Sequence, residues 1–193
     1  MLMLSCGNDI NSIVIDNPKE DDIKVKINDS VYKLYGYASK SIKLKTDTYY
    51  IRTLSASDSL LLEDQISITS DGILNPHLMT YVKWSDNYTS NISSSSLNKM
   101  DITINNNPYF DVSFEVYENQ LFIPKTWDFN LFQQWESSVR YYFKKDVVMS
   151  KIYRLGDLEK EWGYTFDGDI ESLNKKQLDS MVNSLNLKIK KFE

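Results

Sequence analysis

Histidine and cysteine, which often act as a catalytic base, a nucleophile or a zinc ligand, occur once each in this chain of 193 residues. His77 is the single histidine, and it follows Asn75-Pro76, a dipeptide typical of a turn. One histidine cannot form a histidine-rich metal site, and no G-x-S-x-G sequence supplies a nucleophile for it to activate. We therefore expect His77 to be a surface residue, and we assign no catalytic residue.

Carboxylates recur at alternate positions near the C-terminus, in Asp167-Gly168-Asp169-Ile170-Glu171. This spacing matches the first half of a calcium-binding loop. The second half differs, because Ser172 stands at the position of the glycine and Leu178 at that of the final glutamate. We interpret the acidic residues as a turn near the N-terminus of the last helix, where the helix dipole favours negative charge. Neither a metal nor a cofactor is predicted.

Aromatic residues make up 13% of the chain and are the better candidates for a site. Eight of them lie among the strands predicted before residue 90: Tyr32, Tyr35, Tyr37, Tyr49, Tyr50, Tyr81, Trp84 and Tyr88. Exposed on one face of a sheet, such rings can stack on sugars or anchor a protein partner. The alternative is that strands simply favour Tyr and Trp. The predicted ligand-binding residues are Tyr35, Tyr37, Tyr81, Trp84 and Tyr88.

Cys6 is the single cysteine, so neither an internal disulfide nor a cysteine zinc site is expected. Met3-Leu4-Ser5-Cys6 resembles a bacterial lipobox, in which a small residue precedes a cysteine that is lipidated after cleavage of the signal peptide. The resemblance implies that Cys6 carries the lipid and that Ser5 precedes the cleavage. The alternative is that Cys6 is an incidental thiol at a frayed terminus.

Asp9 is similar to the acidic residues that follow the lipidated cysteine in surface-exported lipoproteins of Bacteroidetes-type bacteria. This resemblance implies a membrane-anchored lipoprotein of the bacterial cell envelope, on its periplasmic or cell-surface side. The acyl chains would hold it there, since each buried methylene contributes about 0.8 kcal/mol. Residues 1–22 are accordingly predicted to be a residual signal and a tether, of which Gly7–Asp22 is polar and acidic apart from Ile13-Val14-Ile15.

The charge balance argues against nucleic acid as a partner. The formal net charge is −5, whereas neutralising phosphates requires clustered lysine and arginine. No stretch approaches the roughly 20 apolar residues that a membrane-spanning helix requires.

Residues 23–193 are predicted to form a single domain that is β-rich over 23–124. The sequence IKVKI at Ile23–Ile27 alternates strictly, which predicts a strand with one buried and one solvated face. Ser85–Asn98 is almost wholly polar and predicts an exposed loop, and Glu118-Asn119 predicts the tight turn of a hairpin. The other predicted strands are Val31–Ala38, Ser41–Lys45, Thr48–Leu54, Gln65–Thr69, Met79–Trp84, Asp101–Asn105, Asp111–Tyr117 and Gln120–Ile123.

After Pro124 the spacing of apolar residues changes, and residues 125–193 are predicted to be helical or mixed. Trp127, Leu131, Trp135, Val139 and Tyr142 recur every three or four residues, which predicts an amphipathic helix from Thr126 or Asp128 to about Lys144. Val147–Arg154 follows as a strand, and a second helix is predicted from Ser172 or Asn174. The fold class is therefore α+β: an antiparallel β-rich body, a sandwich or curved sheet of about 8–10 strands, with two amphipathic helices in the C-terminal third.

Three functions fit these observations. The first is a lipid-anchored, non-enzymatic binding protein of the cell envelope with a protein or glycan ligand. The second is an immunity or inhibitor lipoprotein, whose acidic face would occlude a basic toxin site. The third is a carboxylate-dependent hydrolase, which requires two acidic residues that converge in a deep pocket.

Overall fold

A computed structural model of the chain describes residues 9–88, 100–104, 107–133 and 147–162. These residues form thirteen β-strands and one α-helix. The strands are β1 Ile10–Asp16, β2 Ile23–Ile27, β3 Ser30–Leu34, β4 Ser39–Lys45, β5 Asp47–Ser55, β6 Leu60–Ile68, β7 Gly72–Leu74, β8 Tyr81–Tyr88, β9 Met100–Ile104, β10 Asn107–Val112, β11 Phe114–Tyr117, β12 Phe122–Pro124 and β13 Val147–Arg154, and the helix is α1 Leu155–Trp162.

These strands pair into four sheets. Sheet 1 has the order β12-β7-β1-β4, sheet 2 the order β3-β2-β5-β6, sheet 3 the order β11-β8-β13, and β9 pairs with β10 in sheet 4. Strands β1 and β7 run parallel, and every other pairing among these thirteen strands is antiparallel.

Sheets 1 and 2 pack face to face around the first core. In β2 the alternation of IKVKI is confirmed: Ile23, Val25 and Ile27 are buried, and the two lysines between them lie on the opposite face. The buried side chains of β2 meet Ile13 and Ile15 of β1 in one apolar cluster. Such stacking of two sheets with interdigitating inner faces is a β-sandwich.

Strand β1 lies between two cores, which explains its uninterrupted apolar run. Ile13 and Ile15 point into the core with sheet 2, while Val14 packs on the opposite side, in a cluster with Ile73 and Ile152. A strand that is covered on both faces reads as continuously apolar rather than alternating. The prediction of a tether is therefore wrong for Ile10–Asp16, which is a central strand of sheet 1.

The predicted α+β class with two amphipathic helices is wrong, because the described chain is built of strands and carries the single eight-residue helix α1. Within the first predicted helix, Trp127 and Phe129 are buried while Asp128 and Asn130 are exposed, a period of two rather than 3.6. The Asp128 carboxylate accepts hydrogen bonds from the backbone N–H and the hydroxyl of Ser150, at 2.8 and 3.1 Å, instead of capping a helix. Residues 134–144 of that prediction and all of the second helix lie outside the described residues.

Two further local predictions were wrong because strands pair with partners that are distant in sequence. Ser85–Tyr88 was predicted to be loop, but it extends β8 and pairs with Val147–Ser150; residues 89–98 of that loop lie outside the described residues. The predicted turn does occur, with Asn119 in the left-handed region at φ 54°. The flanking strands are nevertheless not a hairpin, since β11 pairs with β8 and β12 pairs with β7.

Candidate functional site: an exposed tyrosine loop on a buried polar junction

Strand β1 ends at Asp16, and both Asp16 and the following residue, Asn17, are polar and fully buried. The Asp16 carboxylate accepts hydrogen bonds from the Tyr81 hydroxyl at 2.5 Å and from Nε and Nη2 of Arg154 at 2.8 and 2.6 Å. A carboxylate held by both arms of a guanidinium has the strongest geometry available to an ion pair. We call Asp16, Asn17, Tyr81 and Arg154 the polar junction, because it joins sheet 1 to sheet 3.

Burial and charge set the protonation of the polar junction. Burial raises the pKa of Tyr81 well above its ordinary value, and the negative charge of Asp16 beside it acts in the same direction. Burial alone would lower the pKa of Arg154, but the hydrogen bonds and charge of Asp16 outweigh that effect and raise it. Near neutral pH the phenol is therefore a hydrogen-bond donor and the guanidinium a cation.

Asn17 fixes the loop that follows β3. Its side-chain N–H groups donate to the carbonyl of Asp21 at 2.8 Å and to that of Tyr35 at 2.9 Å. Its side-chain oxygen accepts from the backbone N–H of Lys19 at 3.3 Å and lies 3.1 Å from Nε2 of His77. The amide thus uses its two donors and both acceptor positions within the protein.

Tyr35, Gly36 and Tyr37 form what we call the tyrosine loop, whose two rings point to solvent. The side chains are 78% and 59% exposed, respectively. The backbone beneath them is held by hydrogen bonds from Gly36 N–H to the Asp22 carboxylate, from Tyr37 N–H to the Lys19 carbonyl, and from Arg154 to the Tyr37 carbonyl, at 3.0, 2.7 and 3.4 Å. The loop therefore presents two aromatic rings on a constrained backbone.

Position 36 requires glycine because the backbone of the tyrosine loop passes very close to the backbone of Glu20. A Cβ atom at this position would lie 1.9 Å from the backbone carbonyl oxygen of Glu20, a distance that no side chain tolerates. Tyr37 itself has φ 59°, a left-handed conformation that is unfavourable for an aromatic residue. The surrounding structure must hold Tyr37 in this conformation, which indicates that the loop is constrained.

The segment that follows β1 also lines a groove of about 520 Å³. Its polar lining consists of Lys19, Asp21, Asp22, Ser55, Ser57 and His77. His77 is half-buried and bonded to Asn17, so the expectation of a simple surface histidine is wrong. Burial and the nearby charge of Lys19 lower the pKa of His77, which keeps the ring neutral near pH 7.

The structure brings together only part of the predicted ligand-binding set. Tyr35 and Tyr37 are neighbours on the tyrosine loop, whereas Tyr81 is completely buried and offers no surface to a ligand. Trp84 is half-buried, with its ring centroid 6.4 Å from that of Tyr153. The side chain of Tyr88 lies outside the described residues, and so does Cys6.

Sequence reasoning missed the residues that support the tyrosine loop, namely Asp16, Asn17 and Arg154. One signal was present in the sequence. The polar pair directly follows the apolar run of β1, and a polar residue that continues a buried strand needs a partner. The partner itself could not be found this way, because Arg154 lies 138 positions away in the chain.

Comparisons with known proteins find no match to this chain, neither a family model nor a curated protein nor a solved structure. Within residues 9–88, 100–104, 107–133 and 147–162, no three histidine, cysteine or acidic side chains cluster in a way that could hold a metal ion. No helix in the same ranges is long and apolar enough to cross a bilayer.

Proposed function

We propose that this chain is a non-enzymatic binding protein of the bacterial cell envelope, anchored by lipid on Cys6, which contacts a protein or glycan ligand through the tyrosine loop. The observation that carries the proposal is the exposure of two adjacent tyrosines, 78% and 59%, on a backbone fixed by buried polar side chains.

The physical argument concerns the cost of ordering a binding surface. Tyrosine supplies a large amphipathic contact area with few rotatable bonds, so it loses little entropy when a ligand binds. A loop that is already fixed in the free protein avoids most of the remaining ordering cost. Exposed rings on a constrained loop are therefore effective anchors for a sugar face or for an apolar patch of a protein.

The position of β1 supports the proposed anchor. Four Cα–Cα steps lead from Cys6 to Ile10, the first residue of β1, and they can span at most about 14 Å. The seven residues of β1 then extend for about 20 Å to Asp16, beside the tyrosine loop. A lipid on Cys6 would hold the first end of β1 near the bilayer and leave the tyrosine loop at the opposite end.

The binding proposal is tested by replacing both rings, in Tyr35→Ala/Tyr37→Ala. The matched control is Ile10→Ala/Val148→Ala, which removes two exposed apolar side chains elsewhere, 62% and 47% exposed. Affinity is measured by surface plasmon resonance against a panel of immobilised neutral glycans and purified envelope proteins of the native host. We expect the wild type and the control to bind at least one probe, and the tyrosine variant to bind it at least about tenfold more weakly. Equal binding by all three proteins, or no binding by the wild type to any probe, would overturn the proposal.

The anchor is tested separately in the native host. The intact mass of the protein from the membrane fraction should exceed that of the polypeptide beginning at Cys6 by the mass of the attached lipid, and Cys6→Ala should lose both this excess and the membrane association. A full-length, unacylated wild-type protein would refute the anchor without affecting the tyrosine loop.

The two alternative functions gain no specific support from the described residues. The acidic residues lining the groove, Asp21 and Asp22, are consecutive and exposed, and the Asp22 carboxylate accepts the N–H of Gly36. They therefore serve to hold the tyrosine loop rather than to converge on a substrate. The immunity hypothesis relied on an acidic face, whereas the outer face of sheet 2 is basic.

A further inference from the structure

The outer face of sheet 2 carries a cluster of four cations in a chain whose net charge is −5. Lys24 and Lys26 lie on β2, Lys33 on β3 and Arg52 on β5. Their neighbours Val25 and Ile51 are buried in the first core. Because side chains alternate along a strand, the cations are on the side of the sheet that faces away from this core.

The register of sheet 2 sets these charges directly against one another. Lys24 is paired with Lys33 across β2 and β3, and Lys26 is paired with Arg52 across β2 and β5. Residues opposite each other in a sheet have Cβ atoms about 5 Å apart, and like charges at that distance destabilise the pair. The arrangement is unfavourable for the isolated fold, which suggests that it serves another purpose.

Nearby carboxylates neutralise only part of this charge. Asp58 lies 2.8 Å from Nζ of Lys24, and Glu63 lies 3.8 Å from Nε of Arg52. The pKa of Asp58 is lowered, chiefly by its hydrogen bond with Lys24 and by the charges of Lys24, Lys26 and Lys33. In the part of the chain that the structure describes, neither Lys26 nor Lys33 has a carboxylate within ion-pair distance.

An aromatic ring extends the charged surface. Tyr50 occupies the next outward-facing position of β5 beyond Arg52, and its side chain is 44% exposed. Its backbone is fixed by reciprocal hydrogen bonds with Asn28, both 2.9 Å long. None of these residues lines the 520 Å³ groove described above.

We propose that Lys24, Lys26, Lys33, Arg52 and Tyr50, together the basic face, bind an anionic polysaccharide. The cations pair with its carboxylate or sulfate groups, and the Tyr50 ring stacks on a sugar. Cations repeat about every 7 Å along β2 and about every 5 Å between strands, a spacing that suits a polymer with regularly repeated charges. This inference requires neither the tyrosine loop nor the anchor at Cys6.

Other anionic partners fit this surface less well. An acidic protein would be expected to insert an anchoring side chain into a pocket, and the groove described above does not open among these residues. An anionic bilayer would attract the lysines but would offer no ring for Tyr50 to stack on. The experiment must therefore distinguish binding of a polysaccharide from binding of an acidic protein or of an anionic bilayer.

The test uses the purified full chain and three polysaccharide probes: polygalacturonate with carboxylates, dextran sulfate with sulfates, and neutral dextran. The basic-face variant is Lys26→Gln/Lys33→Gln. The matched control, Lys43→Gln/Lys45→Gln, removes the same charge from two exposed lysines of β4 in sheet 1. Affinity is measured by isothermal titration calorimetry at several salt concentrations.

We expect the wild type to bind polygalacturonate or dextran sulfate but not dextran, and the probe that binds identifies the anionic group. The basic-face variant should bind at least tenfold more weakly and with a shallower salt dependence, because it releases fewer counterions. Tyr50→Ala should weaken binding without changing the salt dependence. The melting temperature of the basic-face variant should equal or exceed that of the wild type, since two repulsive pairs are relieved.

Three results would overturn the inference. The first is an equal loss of affinity in the β4 control, which would mean that net charge alone drives binding. The second is the absence of binding to both anionic polysaccharides. The third is tighter binding to phosphatidylglycerol vesicles, poly-glutamate or single-stranded DNA than to either polysaccharide, which would assign the basic face to a different partner.

Discussion

Breaking the ion pair between Asp16 and Arg154 at one partner should cost this protein more stability than breaking an exposed ion pair. Asp16 is fully buried and the Arg154 side chain is 11% exposed, so both charges are largely removed from water. Arg154→Met would leave a buried carboxylate with the Tyr81 hydroxyl as its remaining side-chain partner. Removing one member of a buried pair costs about 3–5 kcal/mol. Because the tyrosine bond persists, we expect a loss of about 3 kcal/mol.

Equilibrium unfolding in urea at pH 7, followed by tryptophan fluorescence, measures this loss. With a slope of about 2 kcal/mol per molar urea, the midpoint should fall by about 1.5 M. The exposed pair Lys24–Asp58 supplies the control, since Asp58→Asn should shift the midpoint little or not at all.

The double variant Asp16→Asn/Arg154→Met tests whether the unpaired charge of Asp16 causes the loss of stability. It removes both charges, so it should recover at least about 2 kcal/mol of the loss caused by Arg154→Met alone. The reasoning is refuted if Arg154→Met costs less than about 1 kcal/mol, or if the double variant is no more stable than the single one.

Four further predictions concern individual side chains. The hydroxyl of Thr53 is buried without a hydrogen-bond partner among the described residues, so Thr53→Val should raise the free energy of unfolding by about 1 kcal/mol. Thr46→Val should lower it by about 1–2 kcal/mol in the same urea assay, because the hydroxyl of Thr46 accepts a hydrogen bond from a buried asparagine. Gly36→Ala should cost about 1–3 kcal/mol and weaken ligand binding by the tyrosine loop, since its methyl group would collide with backbone; a thermal melt and the binding panel check both. Burial raises the pKa of Tyr81 well above 10 and that of Tyr117 to about 12, so both folded phenols stay protonated at pH values where unfolded tyrosine ionises. Their stabilising contribution is complete below pH 10 and is lost as the pH rises through the folded pKa, so urea midpoints should fall above pH 10, and less steeply in Tyr117→Phe.

Local features of the chain were predictable where a short stretch contains its own physical signal. The alternation of Ile23–Ile27 identified a half-buried strand, and Glu118-Asn119 identified a turn. The helical spacing of apolar residues from Trp127 was misleading. Trp127 packs into a core formed by distant strands, and Phe129, two positions further on, is buried as well. Two residues with strand-like spacing make a pattern too short to outweigh a longer helical pattern in the sequence.

The candidate site was predictable only in part. The abundance of tyrosine in the first half of the chain pointed to Tyr35 and Tyr37, which are exposed, but equally to Tyr81, which is buried. Residue type cannot separate these cases, because a tyrosine is suited both to a surface and to a core that supplies a hydrogen-bond partner. The environment that decides between them is built by strands far apart in sequence.

The amino-acid sequence by itself determined some of the extended stretches of this protein, such as Ile23–Ile27, the turn at Glu118-Asn119 and which residue types were available for a binding surface. These depend on backbone preference and side-chain period, which act over a few neighbouring residues. Tertiary structure alone decided that β1 is a central strand, that Asp16 meets Arg154 and that the tyrosine loop is held open to solvent. Burial and charge pairing depend on contacts across 138 positions of the chain, and no local pattern encodes which distant residue will complete them.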